Sequence, residues 1–357
     1  QPGSTLKPFL YAQAIAEQRL TAASLLDDAP TQIPTAGGLY IPQNYDRQFK
    51  GWVSVRTALG ASLNVPAVRT LVMLTPEAFA AQLDALGLPL KESGGYYGYS
   101  LALGSPDFSL LALTNAYRAL ANGGRASATR RQPSPAPNPG RAVLPPGAAF
   151  IVGDILADNN ARAQTFGADS VLATRIWTAV KTGTSKDMRD NWALGWSSHY
   201  TVGVWVGNAS GAPMHDVSGT SGAAPVWAAV MAWLHANQRS EPPRPPPGLV
   251  RAAKRMAERR GIPWMALYIE TPAHVRLSDK QRGYVYEALR MAERLGGAAL
   301  TLSDTDIPSA IVHCAKERNV THLLLGAATS SRLKEILFGS VVHTLLRTCS
   351  ELNISVI

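Results

Sequence analysis

Apolar residues recur at helical spacing over much of the first two-thirds of the chain. The first such segment predicts a helix from Ser4 to Arg19, whose apolar stripe consists of Leu6, Phe9, Leu10, Ala14 and Ile15. The same spacing predicts further helices over 53–74 (interrupted at 62–64), 76–86, 110–121, 148–156 and 224–236. Runs rich in β-branched and aromatic residues predict an antiparallel meander of strands over 176–181, 192–197 and 200–206. Loops and turns are predicted for the glycine- and proline-rich stretches 29–44, 94–98 and 132–146.

The pattern changes after a proline-rich stretch at 241–248, which we interpret as a stiff linker. Beyond it, the predicted strands cover 264–270, 299–303, 321–325 and 354–357, and the predicted helices cover 251–260, 281–295, 307–318 and 334–349. Such alternation is typical of a parallel sheet with right-handed crossovers. The sequence therefore predicts two domains: an α+β domain with an antiparallel sheet over 1–240, and an α/β domain with a parallel sheet over 249–357.

Composition argues against several classes of protein. The 357 residues carry a formal net charge of +9, but no run of consecutive lysines or arginines exceeds two, so a nucleic-acid partner is not indicated. The two cysteines, Cys314 and Cys349, are too few for a disulfide framework and are interpreted as buried thiols. No ligand spacing indicates a metal site. The longest apolar stretch, 223–236, is shorter than the roughly 20 residues of a membrane span, so no span is predicted, and no signal peptide is predicted for the residues from Gln1 onward.

Three short motifs carry the candidate chemistry. Ser4 and Lys7 stand three residues apart and would share one face of the first helix. A lysine whose pKa is lowered by burial and by a second cation can take the proton of a serine hydroxyl, and Lys181 is the candidate for that cation. The second motif is 62–64; we interpret its Ser62 as a proton relay between the base and the leaving group, and its Asn64 as a hydrogen-bonding partner of a substrate amide.

The third motif, 181–184, falls at the end of a predicted strand. Gly183 has no side chain, so a substrate backbone would lie against this strand edge. The hydroxyls of Thr182 and Thr184 are candidates for holding a carboxylate. The backbone N–H groups of Ser4 and Thr184 would form an oxyanion hole.

Each motif also has a purely structural interpretation. Ser4 would cap its helix, Lys7 would lie on a solvated face, and the motif with Lys181 would be a strand that ends in a turn. Any one motif alone favours that interpretation, whereas their joint order and spacing favour a serine site.

Residues 1 to about 240 resemble the transpeptidase domain of class A penicillin-binding proteins, most closely the type 1C branch. The matching stretches are 1–9, 98–104, 114–117, 181–185 with Arg189, Asp190 and Trp192, and 200–207. The resemblance implies a peptidoglycan D,D-transpeptidase without a cofactor, in which a D-Ala-D-Ala stem peptide acylates Ser4 and releases D-alanine. The amine of a second strand then attacks the acyl-enzyme, and β-lactams trap it. A periplasmic, cell-envelope location is implied as well.

The nearest rival among serine–lysine enzymes is a β-lactamase. Class A β-lactamases deacylate with a water that is activated by the glutamate of a Glu-x-x-x-Asn loop between the second and third motifs. No such sequence occurs between Asn64 and Lys181, so a transpeptidase is the better interpretation.

Members of the family carry a membrane anchor, a glycosyltransferase domain and the first sheet strands ahead of the nucleophile helix. This sequence opens directly on Gln1. The resemblance therefore predicts an N-terminally truncated domain whose sheet has an unpaired edge, with lower stability and activity than a complete domain.

Residues 249–357 resemble the universal-stress-protein domain of KdpD-type potassium sensor kinases, here without its first strand. The matching stretches are 249–253, 266–272 and 288–296. The adenine-nucleotide motif of that superfamily corresponds to Gly326, Thr329, Gly339 and Ser340, where Thr329 replaces a glycine. Because a threonine hinders the approach of backbone N–H groups to phosphates, we predict weak or no binding of adenine nucleotides.

The two resemblances imply different compartments, since the second family's domain is cytoplasmic, and they leave the location of the whole chain open. We therefore weigh two functions. One is an active transpeptidase fused to a universal-stress-protein-like sensor domain. The other is an inactive fusion or gene-fragment product whose C-terminal domain is a nucleotide-responsive regulatory module.

Overall fold

The computed structural model of the protein describes residues 1–35, 37–132, 139–167, 169–243, 253–254, 256–258, 261–272, 279–325, 345 and 353–356. The chain divides into two compact units, Gln1–Arg244 and Pro245–Ile357. This division falls inside the proline-rich stretch 241–248.

Helices contribute more residues to the first unit than strands do. A single 3-10 turn, Gly3–Leu6, leads into α1, Lys7–Ala16, in place of one helix from Ser4 to Arg19. The other α-helices are α2 Val55–Gly60, α3 Asn64–Leu74, α4 Pro76–Ala85, α5 Gly94–Tyr97, α6 Leu110–Ala121, α7 Pro146–Ala157, α8 Asn159–Phe166 and α9 Ala224–Leu234. Shorter turns are the 3-10 segments Gly98–Leu103 and Lys186–Met188 and the π-helical turn Gly219–Ala223.

Helix α1 lies at the centre of this unit. Its residues Lys7 to Ala14 are all buried, and it packs against α2, α3, α4 and α7. Apolar side chains on every side of α1 join one large hydrophobic cluster, which includes Phe9, Leu71 and Tyr117. A helix that is buried all round holds its side chains in a fixed environment, so α1 is a rigid support for the residues at its start.

Three two-stranded antiparallel sheets lie along the first part of the chain. They pair β1 (Leu25–Asp28) with β4 (Gly51–Ser54), β2 (Ile33–Thr35) with β3 (Gly38–Tyr40), and β5 (Arg125–Ala126) with β6 (Arg141–Ala142). The prediction of a continuous loop over 29–44 is therefore wrong, because β2 and β3 form a hairpin inside it. The prediction of an aromatic turn at 94–98 is wrong as well, because α5 occupies 94–97.

The main sheet is an antiparallel meander in the order β7 (Ala179–Thr184), β8 (Asp190–Trp196) and β9 (Thr201–Gly207). The predicted meander is confirmed, but its first strand lies further along the chain than predicted. Lys181 pairs with Leu194 and Thr184 with Asn191, so the third motif forms the last four residues of β7, at the end of the strand as predicted.

The second unit contains two pairs of parallel strands. β10 (Met265–Glu270) pairs with β11 (Ala298–Ser303), and β12 (His322–Leu325) pairs with β13 (Asn353–Val356). The helices α10 (Asp279–Arg294) and α11 (Ile307–Glu317) accompany them. A small apolar cluster joins side chains of both pairs to α11, among them Ile269, Ile311 and Leu323. Cys314 is a buried free thiol in α11, and Cys349 lies outside the described residues.

Within the described part of the chain, none of the helices combines the length and the apolarity that a bilayer crossing requires.

Candidate active site

Ser4 lies in the 3-10 turn that precedes α1, on a tightly packed backbone. Gly3 has a φ of +57°, and a Cβ there would lie 2.5 Å from the carbonyl oxygen of Thr184. On the other side, the Tyr117 hydroxyl donates a hydrogen bond of 2.7 Å to the carbonyl oxygen of Thr5. The turn is therefore held between β7 and α6, while the side chain of Ser4 stays partly exposed. Among the described residues, none makes a hydrogen bond with Ser4 Oγ, so this serine does not cap a helix.

Lys7 is fully buried, which excludes the interpretation of a solvated face. Its Nζ donates hydrogen bonds to the carbonyl oxygen of Ser62 at 2.7 Å and to Asn64 Oδ1 at 2.6 Å. These acceptors use the two N–H groups of a neutral amine and leave its lone pair available for a proton. Lys7 is thus joined to the second motif by hydrogen bonds, and to Ser4 through their shared turn.

Lys181 reaches the same serine from the main sheet. Its Nζ donates a hydrogen bond of 2.7 Å to Ser62 Oγ and one of 2.9 Å to the carbonyl oxygen of Thr182. Ser62 itself has a φ of +61°, a left-handed conformation that costs a non-glycine residue on the order of 1 kcal/mol. Two buried lysines therefore hold Ser62 at its carbonyl and its hydroxyl, across the junction between α2 and α3.

The electrostatics of the site follow from this burial. Desolvation lowers the pKa of Lys7 well below its usual range, the charge of Lys181 lowers it further, and Asp28 acts in the opposite direction. Burial also lowers the pKa of Lys181 to about 7, and the cation Arg162 contributes to this shift. Lys7 is consequently easier to deprotonate than an ordinary lysine, and Lys181 changes its charge near pH 7.

Gly183 has a different role from the predicted one. A Cβ at this position would lie 2.3 Å from the carbonyl oxygen of Pro2 and 2.7 Å from Thr5 Cγ2. The turn that carries Ser4 occupies this space, so the glycine is required by packing inside the protein. The expectation that its missing side chain makes room for a substrate backbone is therefore wrong at the Cβ position.

The backbone N–H and the hydroxyl proton of Thr184 are both free of hydrogen bonds to the neighbouring strand β8. Ser185 N–H donates to the carbonyl oxygen of Asp190, and hydrogen-bonded pairs alternate along an antiparallel ladder. The pair of Thr184 with Asn191 is therefore a non-hydrogen-bonded one, and the Thr184 N–H points away from β8. Thr184 Oγ1 accepts a hydrogen bond of 2.9 Å from the Gly219 N–H, which leaves its hydroxyl proton for another acceptor. Thr182 is buried, with only 6% of its surface exposed.

The structure thus brings all three motifs of the first unit together, with Lys7, Ser62, Asn64 and Lys181 in one hydrogen-bonded group and Ser4 on the turn before Lys7. Sequence reasoning missed three further polar residues: the buried Asp28, Asn44 and Arg162. No short motif marks them, because tertiary contacts bring them to the site. The predicted nucleotide-binding positions lie outside the described residues: Gly326, Thr329, Gly339 and Ser340.

Within the described residues, no group of three or more histidine, cysteine or acidic side chains is placed to hold a metal ion.

Comparison with known proteins identifies the class of domain to which the first unit belongs. Residues 1–231 match the penicillin binding protein transpeptidase domain family. The chain therefore belongs to the family of penicillin-binding protein transpeptidase domains.

Relatives and solved structures give the extent of this similarity. The chain is 39% identical over 250 residues to penicillin-binding protein 1C of Escherichia coli, and the matched region covers 70% of this chain and 31% of that protein. It is 29% identical over 269 residues to penicillin-binding protein 1A of Neisseria meningitidis, and the matched region covers 70% of this chain and 33% of that protein. The crystal structure of penicillin-binding protein 1A from Haemophilus influenzae superposes with a TM-score of 0.58 at 23% identity, covering 69% of this chain and 44% of that one. The chain thus spans about a third of the length of the curated relatives it matches.

Proposed function

We propose that the first unit is a peptidoglycan D,D-transpeptidase that acts through an acyl-enzyme on Ser4. The observation that carries this proposal is the pair of buried lysines that hold Ser62, one at its carbonyl and one at its hydroxyl. Such a cluster costs desolvation energy, which a purely structural role would avoid, and perturbed pKa values of this kind are concentrated at functional sites.

In this mechanism, Lys7 is the general base. Its lowered pKa favours the neutral amine, whose lone pair takes the proton of Ser4. Ser4 Oγ then attacks the carbonyl carbon of the penultimate D-alanine of a stem peptide. The N–H groups of Ser4 and Thr184 hold the negative oxygen of the tetrahedral intermediate.

Ser62 completes the proton transfer to the leaving group. Because Ser62 Oγ accepts a hydrogen bond from Lys181, its own proton is directed elsewhere and passes to the nitrogen of the departing D-alanine, while Ser62 recovers a proton from protonated Lys7. The C–N bond breaks, D-alanine leaves and the peptide remains as an ester on Ser4. The amine of a second stem peptide then attacks this ester and gives a proton to Lys7. The ester C–O bond breaks, the cross-link forms and Ser4 Oγ recovers its proton from Lys7.

The third motif is proposed to bind the terminal carboxylate of the donor peptide. Thr184 contributes its hydroxyl proton, since Gly219 already occupies the acceptor side of this oxygen. Protonated Lys181 supplies a positive charge nearby, and Asn64 is proposed to bind the peptide amide. β-Lactams are expected to enter the same site and to leave a stable acyl-enzyme. Such an activity belongs in the cell envelope, on the periplasmic side, and it requires no cofactor.

The experiment is covalent labelling of the full chain with a fluorescent penicillin, followed by mass spectrometry of the adduct. We expect a single adduct on Ser4, and no adduct in Ser4→Ala. Lys7→Met, which keeps the side-chain volume, should slow acylation by about 10²–10⁴-fold, because this is the usual contribution of a general base. Lys91→Met changes an exposed lysine and serves as the control, with an unchanged rate expected. An adduct that persists in Ser4→Ala contradicts the assignment, and a folded chain without any adduct supports the inactive alternative.

For the second unit we propose a universal-stress-protein-like fold fused to the transpeptidase. The two parallel strand pairs and the apolar cluster around α11 support an α/β architecture of this kind. A regulatory response to a nucleotide is the second candidate function, and titration of the full chain with ATP tests it.

A further inference from the structure

Behind the lysine–serine cluster lies a second buried polar group, consisting of Asp28 and Asn44. Asp28 ends β1 and is completely buried, and Asn44 follows the hairpin β2–β3 and is 4% exposed. Asn44 Nδ2 donates to both carboxylate oxygens of Asp28, at 2.9 and 2.8 Å, and also to the carbonyl oxygen of Gln48 at 2.8 Å. The backbone N–H of Lys50 donates to Asp28 at 2.9 Å. Asp28 thus accepts hydrogen bonds and fixes the orientation of the Asn44 amide.

The other end of Asn44 reaches the second motif. Its Oδ1 accepts a hydrogen bond of 2.8 Å from the N–H of Asn64 and one of 3.4 Å from the N–H of Val65. These are the first N–H groups of α3, which have no partner within the helix, and Leu63 before them has no side chain that can cap it. Asn44 therefore caps α3 from twenty residues away in the chain.

The capped residue is the one that binds the base. Asn64 Oδ1 accepts the hydrogen bond of Lys7, and Asn64 Nδ2 donates to the carbonyl oxygen of Gln43, the neighbour of Asn44. A continuous path of short hydrogen bonds thus runs from a buried carboxylate to the base. Every group along it is held by at least two partners, which leaves little freedom for Asn64 to turn away.

We propose that Asp28 and Asn44 are a positioning pair that sets the placement of Asn64 and the charge balance of Lys7 for acylation. This inference rests on the proposed function. Neither residue contacts the reacting atoms; both act through Asn64 and Lys7.

The charge of Asp28 distinguishes this role from simple packing. Its carboxylate raises the pKa of Lys7, against the burial and the Lys181 charge that lower it. Asp28 thus limits how weak a base Lys7 becomes. The remaining charged groups on helices packed against α1 are paired or exposed: Arg56 with Asp154, Arg69 with Asp27, and the exposed Glu77 and Asp84.

The test measures the rate of acylation by a fluorescent penicillin as a function of pH. Asp28→Asn keeps the shape of the side chain and removes its charge. The pKa of Lys7 should fall, so the acidic limb of the profile should move to lower pH. Asn44→Ala removes the cap of α3 and should slow acylation about tenfold to a hundredfold, the loss expected when a reacting group is slightly misplaced. Asp46→Asn is the matched control, because Asp46 is an exposed aspartate two residues after Asn44 that pairs with Lys50, and its profile should not change.

A second readout does not depend on activity. Selective ¹⁵N labelling of lysine Nζ, with the Lys7 resonance assigned from Lys7→Met, reports the titration of Lys7 directly. The proposal predicts a downward shift of this titration in Asp28→Asn and none in Asp46→Asn.

Each outcome decides a separate question. If the wild-type chain is not acylated on Ser4, the proposed function fails, and the Lys7 titration alone decides whether Asp28 sets the charge balance. If the wild-type chain is acylated but Asp28→Asn leaves both the acidic limb and the Lys7 titration in place, the positioning pair is overturned. Loss of folding in Asp28→Asn also overturns it and assigns Asp28 to stability. If Asn44→Ala does not fold, the shape-conserving Asp28→Asn decides.

Discussion

Arg162 shows how a single residue outside the three motifs acts on the site. This arginine is 3% exposed and donates hydrogen bonds to the carbonyl oxygens of Leu156 and Leu172. Its neighbour Ala161 packs against Gly60, where an added Cβ would lie 2.7 Å from Ala161 Cβ. Helix α8 therefore rests on the end of α2, two residues before Ser62, and brings a cation close enough to lower the pKa of Lys181.

Removal of the Arg162 charge has a predictable effect on how the acylation rate depends on pH. Protonated Lys181 supports acylation in the proposed mechanism, so the rate should decline as the pH rises through about 7. Arg162→Met removes a repelling charge, raises the pKa of Lys181 and should move this alkaline limb to higher pH. Arg162→Lys keeps the charge but loses the planar hydrogen-bonding group, so the limb should stay near its original position. Penicillin acylation rates between pH 6 and 10 provide the measurement, and an equal shift in both variants would mean that packing, not charge, sets the limb.

The sequence predicted the residues of the three motifs but not their surroundings. Ser4, Lys7, Ser62, Asn64 and Lys181 could be found because the chemistry requires these residue types in a recognisable order. Asp28, Asn44 and Arg162 could not, because aspartate, asparagine and arginine in a polar segment are ordinary surface residues until the fold buries them.

At the scale of elements, the contact between β7 and the turn that carries Ser4 determines the shape of the site. The turn Gly3–Leu6 lies so close to the strand that Gly183 has no room for a Cβ. This packing joins Ser4 to the strand that carries Lys181 and Thr184. This one backbone contact therefore positions Ser4 relative to Lys181 and Thr184.

Gly183→Ala tests this contact. The added methyl would meet the carbonyl oxygen of Pro2 at 2.3 Å, so the turn must shift and carry Ser4 with it. Overpacking typically costs about 1–3 kcal/mol, which corresponds to a fall in Tm of roughly 2–12 °C for a unit of this size. Penicillin acylation should slow as well. Gly147→Ala is the control, because nothing lies within 4 Å of the Cβ position in this helical glycine, and its Tm and rate should be unchanged or slightly higher.

Thermal unfolding followed by tryptophan fluorescence, together with acylation rates, gives both quantities. If Gly183→Ala keeps the wild-type Tm and rate, the turn tolerates displacement and the contact does not set the site.

The elements that the sequence mispredicted share a physical cause. Helix α8 was missed because the segment 159–166 is polar and has no apolar stripe. The hairpin β2–β3 was missed because Pro34, Gly37 and Gly38 interrupt its apolar residues and favour a loop. β7 was placed three residues too early, because its end is defined by pairing with β8 and not by β-branched residues.

At the scale of the whole molecule, the two units differ in how much of their structure and family the sequence predicted and the comparisons confirmed. The longer helices of the first unit and its antiparallel meander were predicted, whereas its short strands β1 to β6 and helix α8 were not. For the second unit, the alternation of strands and helices predicted parallel pairing, and both described strand pairs are parallel. Its membership of the universal-stress-protein superfamily stays a prediction, because a strand–helix alternation is shared by many α/β folds.

The last prediction concerns nucleotide binding by the second unit and uses the full chain. Thr329 stands where the superfamily motif has a glycine, and a side chain there would hinder the approach of backbone N–H groups to phosphates. Isothermal titration calorimetry with ATP should therefore detect weak binding or none. Thr329→Gly should strengthen binding, while Thr321→Gly, eight positions earlier, is the matched control and should not. Binding by the unaltered chain with a Kd of about 1 μM or lower, equivalent to about −8 kcal/mol, would show that the threonine is tolerated and would favour the nucleotide-responsive regulatory function.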